Sequence, residues 1–189
     1  MTPSALTGGF ANPPIDAAHA FRAALNAMAK PGVIESVAGA VPPAPLSLAA
    51  GVLILTLTDG TTPLHLAGAH DCAAVRDWIT FQTGAPLVAA AGASFAIGAW
   101  ADLHPVARFA IGTPDYPDRS ATLIVEMPEL AASGARLTGP GIKATALLAL
   151  PDIASFAANR ARYPLGFDTY LTAGATLAAL PRSTRVEAA

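Results

Sequence analysis

The chain has 189 residues, 53% of them hydrophobic and only 13% charged, which is too apolar and too sparsely charged for a disordered chain. With 11 Lys and Arg against 13 Asp and Glu the formal net charge is −2, so neither a basic nucleic-acid surface nor an acidic tail is expected. The single cysteine, Cys72, excludes an intrachain disulfide and a multi-thiolate zinc site. The length predicts one domain over residues 1–189, large enough to fold without a staple. So little surface charge also suits a subunit with part of its surface covered. Residues 36–58 and 78–101 are free of charge, but Pro42, Pro43 and Pro45 interrupt the first and Gly84, Pro86, Gly92 and Gly98 the second. Neither reads as a membrane span. The first basic residue is Arg22, which does not fit the charged start of a signal peptide, and a soluble cytoplasmic protein is the expectation.

Residues 16–30 predict a helix capped by Asp16 and stopped by Pro31-Gly32, with Phe21, Leu25 and Met28, flanked by Ala18 and Ala29, as its buried stripe. Residues 51–58 (GVLILTLT) read as a strand that turns at Asp59-Gly60 and pairs in a hairpin with 63–67 (PLHLA). Asp71 is placed to cap a second helix ending at Gly84, with Val75, Trp78, Ile79 and Phe81 on its apolar side. Short strands are expected near 87–88 and 95–97, then a Pro- and Asp-rich loop over 112–119 and a strong strand over 121–127 (ATLIVEM). Residues 136–138 form a short strand before the Gly139-Pro140-Gly141 turn, and Asp152 caps a third helix through Arg160. The tail offers strands over 167–172 and 177–180, reversed at Ala173-Gly174-Ala175. Strands interleaved with helices predict an α/β layered fold, and the reversals make its sheet mixed.

Candidate chemistry is sparse. His65 alternates with Leu64 and Leu66 and faces the other side of its strand; it reads as an acid–base group or as a structural histidine. Cys72 sits at a helix start, where the dipole favours a thiolate, though a small buried side chain is the commoner role. His19 and His104 have no partner at metal-ligand spacing. In Gly139-Pro140-Gly141 the proline removes an N–H that a phosphate loop needs, which favours a plain turn. Of the two lysines, Lys143 is the one free to form a Schiff base if this were a pyridoxal-phosphate transferase. Arg182 and Arg185 bracket Ser183-Thr184, and Asp168 opens the preceding strand. Two guanidiniums and two hydroxyls suit a phosphorylated-ligand binding module; an ion pair with Asp168 or Glu187 suits them equally. No catalytic triad or paired-carboxylate set can be singled out.

Several segments together resemble one family. They are Phe21-Arg22 through Ala27-Met28-Ala29-Lys30-Pro31-Gly32, Leu55 to Asp59 with Thr62-Pro63, and residues 81–88 (FQTGAPLV). Residues 121–124, 137–142 (LTGPGI), 163–168 (YPLGFD) and 180–184 (LPRST) continue the match in the same order. The chain is thereby identified as similar to PhnH, a subunit of the bacterial carbon–phosphorus lyase core complex. Gln82 departs from the histidine of the family's Phe-His-Thr version, and Phe167 from a branched aliphatic residue. The resemblance implies a three-layer αβα fold similar to the large domain of pyridoxal-phosphate transferases but without a cofactor. It also implies a homodimer that joins the other core subunits, including an iron–sulfur radical subunit. With them it would support transfer of an alkylphosphonate to the ribose of ATP, releasing adenine. The chain would then be a non-autonomous subunit without catalytic residues of its own, with Asp168, Arg182 and Arg185 the candidates for binding or interface work.

Overall fold

The computed structural model describes residues 6–189. Helix α1 runs Pro13–Ala29, strand β1 is Glu35–Ser36, and α2 is Leu48–Leu57. Strand β2 (Leu64–Leu66) leads through a 3₁₀ turn at Gly68–His70 into α3 (Ala73–Thr83), and β3 (Phe95–Ala99) into the short α4 (Trp100–Leu103). There follow β4 (Thr122–Glu126), β5 (Ala135–Thr138), β6 (Ala146–Leu148), α5 (Ile153–Arg160), β7 (Asp168–Ala173), β8 (Thr176–Leu180) and β9 (Arg185–Ala188).

Six strands form one mixed sheet in the order β1-β8-β7-β4-β3-β2. The four strands β2, β3, β4 and β7 are parallel, whereas β8 and β1 add antiparallel at one edge. The central strands are buried on both faces, as parallel strands between two layers must be. On one face Leu64, Ile97, Ile124 and Tyr170 meet Ala24, Ile54 and Trp78 of the helices α1, α2 and α3. On the other, Leu123, Val125 and Leu171 meet Phe156 of α5 together with Leu137, Leu148 and Val186. Those last three residues belong to a second, antiparallel sheet ordered β6-β5-β9. The expected α/β fold with a mixed sheet is therefore present. The second outer layer, however, combines α5 with a small sheet and is not purely helical. Among the described residues no helix is long and apolar enough to cross a membrane.

Four local expectations are corrected. Residues 51–58 are helical: α2 starts where Ser47 Oγ accepts the Ala50 N–H at 3.1 Å. Being buried along most of its length, this helix shows no polar alternation, so its branched residues looked like a strand. Its late threonines donate their hydroxyls back to Val52 O and Ile54 O, so they do not break the helix. The hairpin disappears with that strand, because β2 pairs in parallel with β3. Helix α1 begins three residues ahead of Asp16, since prolines in a first turn forfeit N–H groups that have no partner there. Asp16 accepts the Asn12 N–H at 2.8 Å instead of capping the helix from its end. Finally, α1 buries Ala20, Ala24 and Ala27, whose small side chains allow close approach to α2 and β8, while Phe21 and Leu25 stand 51% and 55% exposed. Of the expected stripe only Met28 packs against the core.

The expected cap of α3 also shifts. Cys72 occupies the cap position without a side-chain hydrogen bond, and the Asp71 carboxylate turns to Arg76. Gly84 ends α3 in the left-handed conformation at φ 70°, as its position suggested. Asp152 caps α5 through the N–H groups of Ala154 and Ser155, and β7–β8 is the expected antiparallel hairpin.

Candidate functional site

The chain brings Asp168 and Arg182 together and leaves Arg185 elsewhere. Asp168 opens β7, and the turn after β8 returns Arg182 to it. Asp168 Oδ1 accepts the Arg182 backbone N–H at 2.8 Å and its Nε–H at 3.1 Å, while Oδ2 accepts from Nη2 at 2.5 Å. The rest of the guanidinium reaches the 112–119 loop and its end, donating to Pro117 O at 2.6 Å and Ser120 Oγ at 2.5 Å. Four of its five N–H directions are thus in use, in side chains 13% and 24% exposed. This is a clamp joining loop, β7 and tail. Ser183, Tyr163 and Asp118 line a cleft of about 300 Å³ beside it. Arg185 lies exposed on β9 opposite Thr138 and lines a separate hollow with Arg160 and Glu187. Glu187 itself pairs with Arg136 at 2.6 Å.

Two residues beyond Asp168 on β7, Tyr170 is buried against α1, its hydroxyl donating to Ala24 O at 3.3 Å. Burial first, and the Asp168 charge second, push its phenol up to about 12.

A second polar cluster lies at the carboxyl ends of the parallel strands, where layered α/β sheets usually place ligands. Glu126, the last residue of β4, accepts the Ser47 N–H at 2.7 Å and the Thr172 hydroxyl at 3.0 Å. His70 Nε2 stands 4.0 Å from the same carboxylate, and both ring nitrogens of this buried histidine lack a hydrogen-bond partner. The sequence signal for Glu126 was present, a lone carboxylate in the apolar run 121–127, but pattern alone does not say that it turns toward the start of α2.

The remaining candidates separate. His65 lines an edge cleft with Asp71 and Arg76. His19 joins Arg22, Asn26 and Glu35 around a hollow of about 510 Å³ beside α1. His104 packs edge-on against Trp100 at 4.8 Å. Cys72 packs against the helical core cluster. Lys143 is exposed in the connection between β5 and β6. In that connection a Cβ at Gly141, whose φ is +81°, would stand 1.9 Å from Ala29 O, so the glycine lets the turn seat against the end of α1. That close approach supports the turn reading of Gly139-Pro140-Gly141.

Comparison with known proteins gives two findings. Residues 8–187 match the family model described as bacterial phosphonate metabolism protein, PhnH. The chain is also 40% identical, over 96% of its length and 95% of the relative's, to the alpha-D-ribose 1-methylphosphonate 5-triphosphate synthase subunit PhnH of Rhizobium meliloti (strain 1021).

Proposed function

The chain belongs to the PhnH family of bacterial phosphonate metabolism, and we propose that it is a subunit of a multisubunit synthase that joins an alkylphosphonate to the ribose of ATP. In that reaction a phosphonate oxygen bonds to the anomeric carbon as the bond to adenine breaks, leaving a ribose 1-phosphonate 5-triphosphate. The observation that carries the reading is the 40% identity, over nearly the full length of both chains, to a protein named as a subunit of that synthase. Helix α1 supports it physically. Phe21 and Leu25, one turn apart, remain about half exposed on its outer side, an apolar pair suited to another polypeptide. The chain pairs with a second copy and with the other subunits of the synthase, and has no turnover by itself. Asp168 and Arg182 organise the 112–119 loop for those contacts, and Arg185 contributes from the neighbouring hollow.

Co-expression with the remaining synthase subunits tests this. The chain is expected to co-purify with them, and Phe21→Ser with Leu25→Ser to abolish co-purification while leaving the melting temperature and circular dichroism unchanged. Complete synthase activity in a preparation lacking this chain, or turnover by the isolated chain, would refute the proposal.

A further inference from the structure

The β2 side of the main sheet carries two oriented polar groups, a donor and an acceptor, that the subunit reading does not use. β2 is the outermost strand, and the segment after α3 runs beside it: Leu64 N–H donates to Pro86 O and Val88 N–H to Leu64 O, each at 2.9 Å. His65, Asp71, Arg76, Val88 and Ala89 line the resulting cleft of about 300 Å³. That volume is at the small end of ligand sites, enough for a compact molecule.

Each of these groups is held by a partner behind it. His65 Nδ1 lies 2.9 Å from Val88 O; a carbonyl only accepts, so Nδ1 carries the proton and Nε2 of the neutral ring is left for a ligand. Arg76 gives its Nε–H to Asp71 Oδ1, which fixes the plane of the guanidinium and leaves the terminal amino groups without a hydrogen-bond partner among the described residues. Asp71 in turn is held below its ordinary value, by this hydrogen bond first, so its charge is matched by Arg76. The lining therefore offers a charged fork beside a ring nitrogen that accepts a proton.

We infer that this cleft binds a phosphoryl or phosphonyl oxyanion, with Arg76 on its charged oxygens and His65 Nε2 on its remaining O–H. A monoanionic phosphate or phosphonate has both features, and for phosphate esters that form prevails below a second ionisation near 6. A simple carboxylate has only the charge. The inference does not depend on the subunit reading: binding without assembly would uphold one and sink the other.

Calorimetric titration of the isolated chain with methylphosphonate, inorganic phosphate and acetate tests it. Methylphosphonate and phosphate are expected to bind one per chain, and acetate far more weakly. Arg76→Gln and His65→Gln should each weaken binding by about tenfold or more, the usual loss of a charge-assisted hydrogen bond. Arg136→Gln, on the far sheet, should leave it unchanged. Imidazole NMR supplies a readout without substitution: of the 4 histidines, His65 alone should shift during the titration. No binding by either oxyanion, equal binding of acetate, unchanged affinity in both variants, or an unmoved His65 resonance would overturn the assignment.

Discussion

The molecule contains two Arg–Asp pairs that look alike as chemistry and differ in what surrounds them. Arg182 and Asp168 are largely buried, and the guanidinium spends its remaining donors on Pro117 and Ser120. Arg76 and Asp71 are 50% and 37% exposed, and their contact uses a single donor. The first pair ties three segments together and has almost nothing left to offer a ligand. The second has no structural load and keeps its fork open. Donor occupancy, more than the presence of an arginine, separates a structural bridge from a receptor.

The largest effect expected from this contrast is on stability. Arg182→Ala removes a mostly buried cation and leaves the Asp168 carboxylate with only the residue-182 backbone N–H of its present donors, so denaturant unfolding should show a loss of about 3 kcal/mol. The 112–119 loop should at the same time become the first site cut in limited proteolysis. A loss no greater than that of a typical surface substitution would break the comparison.

Alkaline pH sharpens the comparison from the buried side. Tyr170 is raised to about 12 in the fold against an ordinary value near 10. A raised group contributes fully below its unfolded value, so stability should hold up to about pH 10 and then fall as the pH approaches 12, by up to about 2 kcal/mol. Tyr170→Phe should flatten that decline. Because the Asp168 charge is the second cause of the shift, removing Arg182 should delay the ultraviolet titration of Tyr170 still further.

Glu126 shares the clamp's logic at the other end of the strands. Glu126→Ala takes the acceptor from the Ser47 N–H and leaves the Thr172 hydroxyl only the longer contact to Val125 O, for a loss of about 1–2 kcal/mol by thermal or denaturant unfolding. Glu126→Gln, which keeps an acceptor, should recover part of it.

The sequence made some of these features legible and hid others for definite reasons. Asp152 with its helix, Gly84, the 121–127 strand and the β7–β8 turn were readable because a cap, a left-handed glycine and alternation act over a few residues. The two arginines near the tail were readable as charge, but their fates were not. Whether Arg182 meets Asp168, and Arg185 does not, depends on where β8 ends and β9 begins. Helix α2 was hidden because burial along its length erases periodicity, and only Ser47 marked it. Helix α1 carries two apolar stripes, one of alanines and one with Phe21 and Leu25; the spacing of the larger side chains pointed to the second, and spacing does not say which stripe meets the sheet. The answer came from distance, since only alanine allows the helix to lie so close. His65, Asp71 and Arg76 converge because the segment after α3 runs beside β2, a tertiary placement without a local signature.

The smallest expected effect is the most informative about the open pair. Arg76→Gln removes a guanidinium that, among the described residues, pairs with one exposed carboxylate, and exposed pairs of this kind contribute little because water screens them and ordering two side chains offsets the gain. Its melting temperature should therefore match that of the unaltered chain within the scatter of repeats, at low and at high salt alike. Side by side with Arg182→Ala, the same kind of change at two Arg–Asp pairs should yield a large stability loss in one case and none in the other. If Arg76→Gln instead destabilised the fold, its terminal amino groups would have to hold a contact within the chain, and the cleft beside His65 would lose the free fork that suits it to an oxyanion.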